Sequence, residues 1–127
     1  IETYRIDPAR VALYGHSSGG LFALYTATEE PSLFNYILAS SPSVEEEPEW
    51  VAAMMAKAPT NEKLPKLYIS LGGAEEKTAP ALEGVVHTFR QITEDTSFRY
   101  ERFDGMPHMA VMAPAFTKGM RWLFSEK

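Results

Sequence analysis

The sequence predicts an α/β fold, a parallel sheet with flanking helices, in a single domain over residues 1–127. Three observations carry this. Short apolar runs alternate with longer segments whose apolar residues recur three and four apart, four times along the chain. Strands separated by helical crossovers pair in parallel, whereas antiparallel neighbours need only tight turns. The hexapeptide Gly15-His16-Ser17-Ser18-Gly19-Gly20 stands where the first apolar run gives way to the first helical segment. Finally, Ser17, Glu75 and His108 all fall just after a strand, on the side where sites of open α/β sheets form.

Asp7-Pro8 signals a turn, and Arg10 to Tyr14 reads as a short buried strand. Ser18 to Thr28 reads as a helix, with Leu21, Ala23, Leu24 and Ala27 at helical spacing and Glu30-Pro31 closing it. Tyr36 to Ala39 is the second strand, ended by Ser40-Ser41-Pro42-Ser43. The acidic run Glu45-Glu46-Glu47 reads as the solvated start of a helix over Trp50 to Lys57, favoured by the helix dipole. Lys66 to Leu71 is the third strand, followed by Gly72-Gly73. Ala81 to Glu94 is helical, with Leu82, Val85, Val86, Phe89 and Ile92 on one face. Ser97 to Phe103 alternates as a fourth strand, and Ala110 to Phe124 is the last helix, with Trp122, Leu123 and Phe124 expected to pack on the sheet.

Composition narrows the function classes. Hydrophobic residues make up 45% of the chain, enough for one modest core in a single domain of 127 residues. A net charge of −5 with no basic cluster speaks against a nucleic-acid partner. There is no cysteine, which excludes disulfides, thiol chemistry and cysteine-held metal; it leaves the compartment open, with the cytoplasm as the default expectation. No apolar stretch approaches the roughly 20 residues needed to span a bilayer.

The pattern Gly15-x-Ser17-x-Gly19 is a nucleophile elbow, in which a strand delivers the chain to a sharp turn that lifts one serine above the sheet edge. By chance the bare pattern would occur in roughly one chain of this length in twenty or thirty, so its setting between strand and helix is what gives it weight. Without that setting it is a Gly/Ser-rich turn with a packing role. The frame selects Ser17, which has glycine two residues away on both sides; Ser18 has it on one side only, at Gly20, with His16 on the other. A Cβ at Gly15 or Gly19 is expected to crowd the turn. The Ser18 backbone N–H is the expected oxyanion donor.

A serine needs a base to take its proton, and in this fold type the order along the chain is serine, acid, histidine. His108, in the loop Phe103-Asp104-Gly105-Met106-Pro107-His108, is the expected base toward Ser17 and acid toward the leaving group. His87 reads as a structural or surface residue, and the ring of His16 is expected to face packing or the pocket wall. Glu75, after the third strand, is the first candidate for the carboxylate that orients His108, with Glu76 and Asp104 as alternatives; a dyad without an acid also fits. Tyr25, Trp50, Met106 and Met109 are candidates for lining an apolar acyl site, or ordinary packing residues. This chemistry calls for no cofactor and no metal.

The segment Val11 to Leu24, with Asp7-Pro8 and Arg10 before it, resembles the elbow of an esterase branch of the α/β-hydrolase superfamily, which includes the esterase D-like proteins, enterobactin esterases and siderophore trilactone hydrolases. Ala39-Ser40-Ser41-Pro42-Ser43, Leu71-Gly72-Gly73-Ala74-Glu75 and Phe103 to His108 resemble further segments of that branch. The resemblance implies the α/β-hydrolase fold, here its C-terminal half with four βα units. It implies hydrolysis of a small-molecule carboxylic ester through an acyl-enzyme, and it supports Glu75 as the acid. Members of the branch are considerably longer, so the first half of the fold is expected to be missing, along with the second oxyanion donor. The elbow strand would then expose an apolar edge, and self-association through it is expected. Acyl transfer to another acceptor, and a non-catalytic domain acting in assembly or binding, are the alternative readings.

Overall fold

The structure is a computed structural model that describes residues 3–125. Its elements follow the alternation in the sequence: β1 (Ala12–His16), α1 (Ser18–Glu29), β2 (Tyr36–Ser40), α2 (Pro48–Ala56), β3 (Lys66–Gly72), α3 (Ala79–Ile92), β4 (Phe98–Phe103) and α4 (Met112–Leu123), with a 3-10 turn at Asp95–Ser97 leading into β4. The strands form one parallel sheet in the order β1-β2-β3-β4.

Boundaries shift where local chemistry outweighs apolar pattern. The first strand begins at Ala12 rather than Arg10, because Val11 bonds Asn35 instead of joining the ladder. The Val11 N–H donates to Asn35 Oδ1 at 2.9 Å and its carbonyl accepts from the Asn35 N–H at 2.9 Å. Helix α2 starts at Pro48, since the fixed φ of proline suits a first helical position whose N–H would have no partner anyway. The acidic run lies ahead of that helix. Glu47 occupies the capping position without a side-chain cap bond, and only Glu49 falls in the first turn.

Alternation along the strands divides the core between two faces. Ile37 and Ala39 of β2 and Leu67, Ile69 and Leu71 of β3 face α1, α2 and α3, which contribute Leu24, Val51, Leu82 and Phe89, among others. Leu38 and Tyr68 face the other way, onto Leu123 of α4, with Trp122 and Phe124 packed alongside as expected. Helix α4 lies flush on the sheet: a Cβ at Gly119 would come within 2.5 Å of Leu38 Cδ1 and 2.8 Å of Tyr68 Cδ1. Truncating a fully buried leucine to alanine costs about 2–5 kcal/mol, whereas exposed pairs such as Arg102–Glu83 contribute about 0–1 kcal/mol, so burial holds the fold. On the second face the Tyr68 hydroxyl donates to Glu101 Oε1 at 2.7 Å, and burial pushes its pKa up.

Two consequences bear on the site. Parallel strands bring the ends at His16, Ser40, Gly72 and Phe103 to the same edge. Among the described residues, strand β1 has a hydrogen-bonded neighbour on one side only, with Ala12, Leu13 and Tyr14 half-buried. Among the described residues no helix is long and apolar enough to cross a membrane.

Candidate active site

Ser17 occupies the point of the turn between β1 and α1 with φ 64° and ψ −120°, a left-handed conformation that costs a non-glycine residue about 1–3 kcal/mol. The surroundings enforce it. The Ser17 N–H donates to the Ser40 carbonyl at 2.9 Å, and the Ser17 carbonyl accepts from Leu21 and Ser43 N–H groups at 3.0 and 3.2 Å. Gly15 backs the turn so tightly that a Cβ there would lie 2.0 Å from the Gly19 carbonyl oxygen. At Gly19 the expectation fails, for a Cβ there would meet nothing within 4 Å. Gly19 belongs to the exposed first turn of α1, and it is its carbonyl, not its α-carbon, that presses on Gly15. The second crowded glycine is Gly20, whose Cβ would stand 2.8 Å from the Ser40 carbonyl. The Ser18 N–H opens α1, has no hydrogen-bond partner among the described residues, and is available to an oxyanion.

Glu75 and His108 meet because their loops are joined by backbone. The N–H groups of Gly73 and Ala74 donate to the carbonyls of Phe103 and Met106 at 2.7 and 3.1 Å. This close approach is why the loop needs Gly72-Gly73: Cβ atoms there would fall 2.2 Å from the Met106 carbonyl and 2.7 Å from the Gly105 nitrogen. The result is a 2.6 Å bond between His108 Nδ1 and Glu75 Oε1. The carboxylate is an acceptor, so Nδ1 carries the proton and Nε2 presents a lone pair. The side chain of Glu75 is 8% exposed and that of His108 38%, so the acid is enclosed while the imidazole faces the mouth of the site. Glu76 and Asp104 are exposed, and neither bonds His108. His87 is exposed on α3.

Burial pushes the Glu75 pKa up. Hydrogen bonds from Ser41, His108 and the Gly72 N–H, with the His108 charge, outweigh it and hold the carboxyl below its ordinary value. His16 is held below its ordinary value, by burial first and then by the His108 charge; the Glu75 charge and the His108 backbone oppose this in part. Its ring lies against that of His108, with centroids 4.6 Å apart, and its Nδ1 is 2.9 Å from Ser40 Oγ. The sequence placed this ring in packing or the pocket wall; it is in fact a wall of the site.

The structure does not join Ser17 to His108 by a hydrogen bond. Ser17 Oγ bonds Ser43 Oγ at 3.1 Å. The last residue of β2 and the segment after it thus contribute hydroxyls to three members of the site: Ser40 to His16, Ser41 to Glu75 and Ser43 to Ser17. Sequence reasoning attached no role to these hydroxyls, although three serines directly after an apolar strand, at the edge where the loops meet, were the available signal. Tyr25 and Trp50 stack at 5.6 Å and Met109 is exposed. Among the described residues no group of three or more metal-ligating side chains is placed to hold a metal ion.

Comparison with known proteins agrees with this architecture. The chain is 52% identical over 40 residues to a siderophore enterobactin esterase of Emericella nidulans, a segment covering 32% of this chain and 13% of that protein. It is 36% identical over 77 residues to a siderophore triacetylfusarinine C esterase of Aspergillus fumigatus, covering 57% of this chain and 26% of the relative. The solved siderophore hydrolase EstB of Aspergillus nidulans superposes with a TM-score of 0.77 at 28% identity, over 89% of this chain and 48% of that one. The chain thus spans about half the length of that solved relative and less of the curated ones. The fold is that of the α/β-hydrolases. A family pattern described as “Putative esterase” matches residues 2–117, nearly the whole chain, and the chain belongs to that family.

Proposed function

We propose that this chain carries the catalytic residues of a serine hydrolase that cleaves carboxylic esters through an acyl-enzyme. The observation that carries the reading is the 2.6 Å His108–Glu75 bond at the same sheet edge as the strained Ser17 turn. Ser17 Oγ attacks the ester carbonyl carbon and His108 Nε2 takes its proton. The negative charge that develops on the carbonyl oxygen is held by the Ser18 N–H, and Glu75 steadies the imidazolium. When the intermediate collapses, the C–O bond to the alcohol breaks, His108 returns the proton to the leaving oxygen, and the acyl group stays on Ser17. Water, activated by the same imidazole, then releases the acid. To reach Ser17, His108 must replace Ser43 as partner of the nucleophile, an adjustment common when a site closes on substrate. The names of the relatives favour siderophore esters as the substrate class. Self-association through the free side of β1 belongs to the same proposal, and a sedimentation coefficient that rises with concentration would report it.

The test is covalent. Incubation with a fluorophosphonate should add one phosphonyl group to the intact mass, and peptide sequencing should place it on Ser17. Labelling at another residue, or none on a folded chain, would overturn the assignment.

A further inference from the structure

Resting on the triad reading above, we infer that Ser41 is the positioning residue of the acid: its hydroxyl holds the Glu75 carboxylate ionised and turned toward His108. Ser41 follows β2, is 1% exposed, and donates from Oγ to Glu75 Oε2 at 2.5 Å. The Gly72 N–H donates to the same oxygen at 2.8 Å, which leaves Oε1 for His108. One carboxylate oxygen is therefore fully occupied by fixed donors, and the other has a single direction in which to accept.

The backbone at Ser41 shows that this placement is imposed. Its φ is +42°, and apart from Ser17 no other non-glycine residue among those described has a positive φ. Glycine would adopt that angle without strain, so a turn needing only the angle has no use for a serine. The Ser41 N–H continues the sheet by donating to the Ser70 carbonyl at 2.8 Å, which fixes the residue from which the hydroxyl projects. The titratable groups facing Glu75 are His108 and His16 across the site and the Tyr100 phenol from β4, while Arg102 caps the Gly73 carbonyl of the same loop. Of the interactions that lower the Glu75 pKa, the Ser41 hydrogen bond is the largest.

Two variants separate hydroxyl from turn. Ser41→Ala removes the hydroxyl and keeps the strain; Ser41→Gly removes both. If the hydroxyl is what matters, both should let Glu75 protonate roughly ten- to a hundredfold more readily, read from the carboxyl carbon resonance during an acid titration. The low-field proton signal of the His108–Glu75 bond should weaken in both, and kcat for an activated ester should fall by roughly the same factor with KM little changed. Stability follows with a definite sign. A lowered Glu75 pKa contributes stability that is present above the ordinary carboxyl value and lost as pH falls through the folded value, so acid unfolding should begin at higher pH in both variants. A Ser41→Gly protein with unchanged Glu75 titration and unchanged kcat would overturn the inference. Glu75→Gln, measured alongside, keeps the two readings apart. If it leaves turnover intact, the triad reading fails, while the Glu75 titration in the Ser41 variants still decides whether Ser41 positions the carboxylate.

Discussion

Ser17→Ala is expected to lower kcat for ester hydrolysis roughly 10⁶-fold and to leave the fold standing. The magnitude follows from the division of labour at the elbow. On the proposed mechanism, removing Oγ removes the acyl-enzyme, and His108 and Glu75 lose the group they would serve. What remains is whatever the Ser18 N–H and substrate binding give to direct attack by water. The fold survives because the hydrogen bonds that shape the turn run through the Ser17 backbone, from its N–H to Ser40 and from Leu21 and Ser43 to its carbonyl. A further comparison isolates the strain. Ser17→Gly should be more stable than Ser17→Ala by about 1–3 kcal/mol, because glycine accepts a φ of 64° without penalty. Steady-state kinetics and urea unfolding of the two variants check both statements. A Ser17→Ala protein with turnover within tenfold of the parent would remove Ser17 from the mechanism.

The largest effect on folding is expected at Gly15. An alanine there would put Cβ 2.0 Å from the Gly19 carbonyl oxygen and 2.4 Å from its carbon, and both are backbone atoms held by the elbow and by α1. Neither neighbour has a rotamer to change, so the strand end and the helix start must separate. Displacements of this kind belong to the small class of substitutions costing above about 4 kcal/mol, a large part of the 5–15 kcal/mol that holds a typical domain. Gly20→Ala, at 2.8 Å from the Ser40 carbonyl, should cost less than Gly15→Ala. Gly19→Ala should be neutral or stabilising by up to about 1 kcal/mol, since its Cβ meets nothing and alanine is the better helix former. Denaturant midpoints of the three variants give the order directly. A Gly15→Ala chain as stable as Gly19→Ala would contradict this geometry.

The glycines also show where reading the sequence stops. The motif marks Gly15 and Gly19 alike, but whether a Cβ collides depends on which atoms the fold brings opposite it, and the motif holds no information about that. Strands and helices were legible because burial imposes its period on each element separately; Leu82, Val85, Val86 and Phe89 are enough to define α3. Boundaries were less so, since the pair of hydrogen bonds with Asn35 takes Val11 out of β1. Its place after β3 favoured Glu75 over Asp104, the resemblance of Leu71 to Glu75 to an esterase segment supported it further, and the structure pairs Glu75 with His108. The hydroxyls of Ser40, Ser41 and Ser43 escaped because each acts on a residue 24 to 34 positions away. Such contacts exist only after the strands are in register, and no local pattern encodes them.

The strictly sequential strand order has a consequence for how reactivity is acquired. Ser17, Ser41, Glu75 and His108 are supplied by four successive βα connections. Each connection takes its place at the shared edge only when its own strand is paired in the sheet. On the proposed mechanism, a chain in which the fourth strand is not paired with the third holds Ser17 and its serine neighbours but lacks His108 as base. Secondary structure and local apolar burial can form within a single βα unit, whereas the proposed site needs all four units in register. On the proposed mechanism a chain lacking any one of the four docked units is chemically silent, so reactivity at Ser17 reports that all four are in place.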